Sequence, residues 1–251
     1  MFDIKGKIAI VTGPRTGIGQ SAAVALAKAG VHIMGIGTSP MDETKQLVEA
    51  QGVRFEYQLR DLSKPCKELF ERIVEETVEK LGRIDILVNN AGTRHRGESL
   101  DYEEDAWDAV MNVNVKSVFF LTQAVAKQFL KQGDGGKVVN LASLLSFFGG
   151  FKTPAYAASK SAVASLTKSL SNEWAKLGIN VNAIAAGYIE TIGTQALRDD
   201  PVRNQQILDR IPAGRWGEPD EIGEPIVFLC TPAARYIHGA IISVDGGWMG
   251  R

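Results

Sequence analysis

Cysteine is scarce in this chain, with two in 251 residues. Cys66 stands in a polar stretch and Cys230 at the end of an apolar one, and neither has neighbours that would complete a disulfide framework or a metal-ligand set. No metal centre is expected, and a reducing compartment, the cytoplasm, is. An excess of charge of one sign is missing too. With 28 basic residues against 29 acidic ones the formal net charge is -1, so there is no electrostatic footprint for nucleic acid or for an anionic membrane. No run of about 18 apolar residues offers a bilayer span. The first residues, Met1 to Lys7, lack the apolar core of a secretion signal. Repeats, linkers and low-complexity tracts are absent as well. What is present is ordinary globular composition, 45% hydrophobic and 23% charged. One α/β domain can fill this length, so a single domain over 1–251 is expected.

Short apolar, β-branched runs alternate with longer helix-periodic ones. Strands are expected at 7–11, 31–36, 54–58, 85–88, 137–141, 180–185 and 240–244, and helices at 18–29, 42–50, 64–81, 105–129 and 219–229. A further helix carries Tyr156 through Lys176. Helical segments of this length between strands imply right-handed βαβ units. The fold class is therefore α/β: a doubly wound parallel sheet of about seven strands with helices on both faces. The stretch from about Tyr188 to Arg215 is polar and weakly periodic beyond Thr191, and reads as a lid over a substrate.

Several positions along this frame could carry chemistry. Thr12-Gly13-Pro14-Arg15-Thr16-Gly17-Ile18-Gly19 joins the first strand to the first helix, where glycines let backbone approach a ligand and the helix N-terminus favours a pyrophosphate. Gly37 ends the second strand, where dinucleotide sites often place an acid on the adenosine ribose; the next carboxylate is Asp42. Arg15 could approach a 2′-phosphate. Asp61-Leu62 follows the third strand, where the carboxylate could accept from adenine or cap a helix. Asn89-Asn90-Ala91-Gly92 follows the fourth strand and could lie against the cofactor or stabilise the sheet edge. Asn114 interrupts an otherwise apolar helix and needs partners there. Ser143 follows the fifth strand at the ligand-binding edge of an open α/β sheet. Tyr156 and Lys160 are four residues apart, on one helix face, where an ammonium can lower a phenol's pKa.

Taken together, Thr12-Gly13-x-x-x-Gly17-x-Gly19, Asn89-Asn90-Ala91-Gly92, Asn114, Ser143, Tyr156-x-x-x-Lys160 and Asp245-Gly246-Gly247 resemble the short-chain dehydrogenase/reductase family from about Gly6 to Trp248. The resemblance implies a Rossmann-type fold and hydride transfer between a nicotinamide dinucleotide and a secondary alcohol or ketone. It implies that Tyr156 is the acid/base, that Lys160 lowers its pKa and holds the nicotinamide ribose, that Ser143 binds the reacting oxygen, and that Asn114 supports a relay water. It places the cofactor on Gly13, Arg15, Thr16, Gly17, Ile18, Gly37, Asp61, Leu62, Asn89, Ala91, Gly92, Tyr156, Lys160, Gly187, Ile189 and Thr191. The sequence departs from the family pattern at Ala186-Gly187, where Pro-Gly is usual, so a modest loss of loop order is expected.

Within the family, Asn140–Gly150, Asn172–Lys176, Asn180–Ile184 and Ile207–Trp216 are similar to the bacterial 2-dehydro-3-deoxy-D-gluconate 5-dehydrogenases. That resemblance implies a sugar-acid substrate such as 2-dehydro-3-deoxy-D-gluconate or a related keto-deoxy-uronate, and a homotetramer. NAD is favoured as cofactor, and NADP stays open because of Gly37. Cations in plausible places for a substrate carboxylate are Arg94, His95, Arg96 and Lys152, so the expected substrate contacts are Arg94, Ser143, Lys152 and Tyr156. Other readings are a reductase of another carbonyl, such as a 3-oxoacyl thioester or a different sugar, and a non-catalytic dinucleotide-binding sensor. The intact set of Asn114, Ser143, Tyr156 and Lys160 argues against the sensor. The apolar Trp248 and Met249 are compatible with burial against a neighbouring subunit.

Overall fold

A computed structural model describes residues 2–250 of the chain. Seven strands form one sheet: β1 (Ile8–Thr12), β2 (His32–Gly37), β3 (Phe55–Leu59), β4 (Ile86–Asn89), β5 (Gly136–Ser143), β6 (Ile179–Ala186) and β7 (Ile241–Val244). Their order is β3-β2-β1-β4-β5-β6-β7, with every neighbouring pair parallel. The helices are α1 (Gly17–Lys28), α2 (Asp42–Glu49), α3 (Lys67–Leu81), α4 (Glu104–Met111), α5 (Ser117–Gln132), α6 (Pro154–Trp174), α7 (Gln195–Arg198), α8 (Pro201–Leu208) and α9 (Asp220–Cys230).

The central strands are buried on both faces, which is why they read as continuous apolar runs. In β1 the period-two alternation sends Ala9 and Val11 to one layer, with Leu26 of α1 and Ile222 and Ile226 of α9. It sends Ile8 and Ile10 to the other, with Phe70 and Ile73 of α3 and Leu121 and Val125 of α5. On the first face α1 and α9 pack closely: a Cβ on Gly223 would stand 2.6 Å from the Ser21 hydroxyl, and that hydroxyl donates to Asp220 at 2.7 Å. β1 pairs with β2 on one side and β4 on the other, so the strand order reverses there. A crevice opens at the carboxyl ends of such strands.

Two element boundaries differ from the periodicity. α3 begins at Lys67 instead of Lys64, because Pro65 disfavours helical geometry in the residue before it and Cys66 is extended at φ −137° and ψ 162°. The helix expected over 105–129 is α4 and α5 joined by a π-helical turn, Asn112–Lys116. The combined run Glu104–Gln132 reaches a mean hydropathy of 1.2, enough by length and composition to cross a bilayer. Its apolar side is spent on α3, α6 and the sheet, the arrangement of a core helix. The polar stretch from 188 to 215 has structure of its own, comprising α7, α8 with Asp200 capping at 3.0 Å, and a one-turn 3-10 helix at Ile192–Thr194.

Candidate active site

Register brings the carboxyl ends of the strands together: Val11 pairs with Val88, Asn89 with Asn140, and Ser143 with Ala186. The cleft above them has a volume of about 1090 Å³. Among the described residues its basic lining is Arg15, Arg60, Arg94, Arg96, Lys160, Arg203 and Arg210, and its only acid is Asp61. A chain with a net charge of -1 therefore presents one strongly positive concavity, which concentrates anions.

At one end the glycine loop is braced from β4. Thr12 Oγ1 accepts from the backbone N–H groups of Asn90 at 3.0 Å and Ala91 at 2.9 Å. The Asn90 side chain donates to the carbonyls of Thr12 at 2.9 Å and Gly13 at 3.1 Å. Gly19 fits only as glycine, since a Cβ there would lie 2.2 Å from Gly13 O and 2.3 Å from Asn90 Nδ2. Gly13 and Gly17 both have positive φ, 66° and 58°. The N-terminus of α1 has no side-chain cap and no acid in its first turn. Its free N–H groups and dipole therefore fit a dinucleotide pyrophosphate.

Gly13, Arg15, Thr16, Gly17, Ile18, Gly37, Asp61, Leu62, Ala91, Gly92, Gly187, Ile189 and Thr191 all line this cleft, joined by Thr38, Ser39 and Arg60. Asn89 does not. It is buried in the layer below, where it donates to Thr122 Oγ1 at 2.9 Å and to Asn140 Oδ1 at 2.8 Å. Asp61 accepts from the backbone and hydroxyl of Ser63 at 2.9 and 2.7 Å, forming a local turn and no cap on α3. Those bonds hold its carboxyl below the ordinary carboxylate range. Arg60 is paired with Glu76, and its backbone N–H binds Gly37 O at 2.7 Å.

The segment after β6 crosses the cleft towards the glycine loop. Gly187 packs on Asp245, with only 2.6 Å from its missing Cβ to the Asp245 backbone, and Gly187 N–H donates to Val244 O at 2.9 Å. A bridge between Ile189 and Gly217, and Thr194 Oγ1 donating to Ile189 O at 2.7 Å, fix the following turn. This segment is tied down without the proline whose replacement by Ala186 predicts looser order.

The candidate reaction residues Ser143, Tyr156 and Lys160 line the same cleft. Ser143, at the end of β5, starts a 3-10 turn: its Oγ accepts from Leu145 N at 3.2 Å, and Ser146 Oγ donates to Lys160 O at 2.7 Å, tying that turn to α6. α6 begins at Pro154, the favoured first helical position for proline, and carries Tyr156 and Lys160 one turn apart. Lys160 is 5% exposed, its Nζ donating to Leu141 O at 2.5 Å and lying 5.7 Å from the Tyr156 ring centre. Burial without a counter-ion pushes its pKa down to about 8. Burial raises the Tyr156 phenol, while the Ser143 hydroxyl and the Arg94 guanidinium pull it the other way. Burial outweighs both, and Arg94 joins Lys160 as a cation near the phenol.

Asn114 sits in the π turn at 1% exposure and does not reach the cleft wall. Its Oδ1 accepts from Thr93 N at 2.8 Å, and its Nδ2 donates to Thr93 O at 2.8 Å and Ser159 Oγ at 3.0 Å. Of the expected substrate cations, Arg94 lines the cleft and donates to Gly193 O. Lys152 is not part of the lining; it pairs with Glu98 at the rim, at φ 57°. His95 packs edge-on against Tyr102 at 5.5 Å.

Arg210, inside the Ile207–Trp216 stretch, and Trp248 also belong to the wall, and no spacing in the sequence pairs them. Trp248 is 5% exposed inside its own subunit, against Tyr188 at 4.7 Å, with the Arg210 guanidinium 4.2 Å over its ring. It is therefore already covered within the chain, and its burial supplies no argument for a neighbouring subunit.

This geometry has known counterparts. The family model described as "Enoyl-(Acyl carrier protein) reductase" matches residues 13–249. The chain is 51% identical to the 2-dehydro-3-deoxy-D-gluconate 5-dehydrogenase of Dickeya dadantii, covering 100% of this chain and 98% of that protein. It is 54% identical to the Bacillus subtilis protein of the same name, over 100% and 97%. A putative 2-deoxy-D-gluconate 3-dehydrogenase from Agrobacterium tumefaciens, solved with bound NADP, superposes with a TM-score of 0.94 at 49% identity, over 100% of this chain and 99% of that one. With the fold, the glycine loop and the Ser143, Tyr156 and Lys160 cluster in place, these likenesses show that the chain belongs to the short-chain dehydrogenase/reductase family.

Proposed function

We propose that this NAD(P)-dependent oxidoreductase interconverts a ketone and a secondary alcohol on a sugar acid, 2-dehydro-3-deoxy-D-gluconate or a closely related keto-deoxy-uronate. The observation that carries the substrate class is the cleft wall, with seven basic side chains against the single acid Asp61. Both curated relatives described above bear the name of that activity.

The dinucleotide, when bound, supplies or accepts the hydride. The chain's own residues handle the oxygen and its proton. In reduction, the Ser143 hydroxyl donates to the carbonyl oxygen, and Tyr156, a neutral phenol at pH 7 that burial holds protonated, transfers its proton to that oxygen. The phenolate left behind is stabilised by the Lys160 ammonium and the Arg94 guanidinium. In oxidation the phenolate removes the alcohol proton. Lys160, with no carboxylate beside it, can also bind the ribose hydroxyls.

Both dinucleotides fit the adenosine end. Gly37 places no carboxylate there to repel a 2′-phosphate, and Arg15, Thr38 and Ser39 offer a cation and two hydroxyls. The Agrobacterium structure holds NADP, whereas the preference for NAD rests on resemblance alone, so we propose that the chain accepts both. We also propose a cytoplasmic homotetramer; the half-exposed Trp107 of α4 and Phe120 of α5 offer apolar association surface, and sedimentation tests it. Replacing Tyr156 with Phe tests the mechanism: turnover should fall by about 10²–10⁴ while NADPH still binds, and near-normal turnover refutes it. The substrate class is tested by comparing keto-deoxy-uronates with neutral ketones; faster turnover of a neutral ketone refutes it.

A further inference from the structure

Seven basic groups line the cleft, but they are not equivalent. Arg15 and Arg60 belong to the adenosine end, and Lys160 to the reaction centre. Arg94 is tied to Gly193 O, and its charge acts on the Tyr156 phenol. Arg96 stands exposed on a loop. Arg203, on α8, donates to Gln206 at 3.0 Å. Arg210, like all of these but Arg60, makes no ion pair among the described residues; what sets it apart is its guanidinium, 4.2 Å over the Trp248 ring.

Its platform is rigid. Asp245 accepts from Gly247 N at 2.9 Å and Met249 N at 3.0 Å, and Ala213 N donates to Gly246 O at 3.0 Å. The chain end bearing Trp248 is thereby fastened to the segment that follows Arg210. Gly246 and Gly247 turn with φ 63° and 89°, and a Cβ on Gly247 would sit 3.0 Å from Pro212. Trp248 packs in one buried cluster with Leu144, the residue after Ser143. The indole N–H is also a buried donor with no acceptor among the described residues. A stacked guanidinium whose forked donors have no partner among the described residues is pre-organised for a planar, bidentate anion, and loses little freedom on binding one.

We infer that Arg210, held flat on Trp248, is the specificity-determining residue that binds the substrate's carboxylate, with Trp248 as its positioning residue. This rests on the sugar-acid reading above. The carboxylate docks beside the Ser143 turn, and the carbonyl to be reduced is thereby presented to Ser143 and Tyr156. Arg94, which was expected to bind the carboxylate, serves the phenol instead.

The test compares 2-dehydro-3-deoxy-D-gluconate with its neutral carboxamide on the full-length enzyme. In Arg210→Met, KM for the acid should rise by about 10- to 100-fold, the loss of one charge-assisted pair, with kcat little changed, KM for the amide unmoved, and the NADPH dissociation constant unaltered. Arg210→Lys, which keeps the charge and loses the fork, should fall between. Trp248→Leu should raise KM for the acid selectively by releasing the guanidinium. If wild type favours the acid but Arg210→Met leaves that preference intact, the assignment is overturned while the sugar-acid reading stands. If wild type shows no preference for acid over amide, the sugar-acid reading fails and takes the assignment with it. If Arg210→Met loses NADPH binding or raises KM equally for acid and amide, the residue is structural and the assignment is also overturned.

Discussion

Replacing Lys160 with Met should make the ligand-free protein more stable while disabling it. Lys160 is 5% exposed, and its pKa falls from 10.5 to about 8 because burial penalises the ammonium. A shift of about 2.5 units, at about 1.4 kcal/mol each, is a cost of roughly 3 kcal/mol wherever the folded group is protonated. Methionine removes the charge and retains an unbranched chain, but it gives up the 2.5 Å bond to Leu141 O, worth about 1 kcal/mol. The net expectation is a gain of about 2 kcal/mol at pH 7. The pH dependence gives a second, independent signature. Between about 8 and 10.5 the unfolded chain binds the proton that the folded chain has released, so wild-type stability rises with pH across that window. Below pH 8 the full cost applies, and above 10.5 it vanishes. The advantage of Lys160→Met should therefore shrink as pH rises from 8 towards 10.5. Urea denaturation of both proteins at pH 7, 8.5 and 10, at one fixed protein concentration because assembly shifts apparent stability, measures it. A variant that is less stable at pH 7, or a difference that does not change with pH, refutes the reasoning.

Other outcomes follow from the same site. Gly19→Ala would put a Cβ 2.2 Å from Gly13 O and 2.3 Å from Asn90 Nδ2; the loop must give way, at a cost of about 1–3 kcal/mol, and NADPH affinity should drop at least tenfold by fluorescence titration. The kcat/KM for ketone reduction should fall as pH rises through about 8, where Lys160 loses its proton, while the phenol, raised by burial, stays protonated; a flat profile to pH 9.5 would show that the Lys160 charge is not needed. Lys152→Ala removes a rim pair with Glu98 and a contact with the Phe151 ring, so kinetic constants for a sugar acid should stay within about twofold, in keeping with the small worth of exposed ion pairs.

The fold was legible because its cause is local. Strands buried on both faces read as near-continuous apolar runs, as β1 and β4 do up to their last residue, while Asn180 and Asn182 interrupt β6. The proximity of Tyr156 and Lys160 was legible because they share one helix, where a four-residue spacing is also a distance. The neighbouring asparagines show where that reasoning stops. Adjacent strand residues face opposite sides of a sheet, so one position separates Asn89, which knits β4 to Thr122 and Asn140, from Asn90, which braces the glycine loop. The Arg210 platform was not legible at all. The two residues are far apart in sequence and meet only because the Asp245 turn is fastened to Ala213.

Asn114 joins these two kinds of information. Resemblance implies that it supports a relay water, yet its side chain already has three protein partners: Thr93 N, Thr93 O and Ser159 Oγ. Ser159 Oγ in turn donates to the Tyr156 carbonyl at 2.8 Å. One amide therefore fixes the distance between the β4 loop, which delivers Arg94, and the first turn of α6, which delivers Tyr156. The π turn is what lets a polar residue in an apolar helix face both. Asn114→Asp keeps the acceptor for Thr93 N but replaces two donors with a buried charge facing Thr93 O and Ser159 Oγ. Asn114→Ala takes the side-chain partner from Thr93 N and Thr93 O and leaves Ser159 Oγ with its bond to the Tyr156 carbonyl. If the residue positions the phenol, both variants should lose kcat by more than tenfold, with the larger loss of thermal stability in Asn114→Asp, because a buried charge set against the Thr93 carbonyl costs more than unmade neutral bonds. If its contribution were confined to a water, Asn114→Ala would lower kcat with an unchanged melting temperature. That result would detach Asn114 from the framework to which its three bonds assign it.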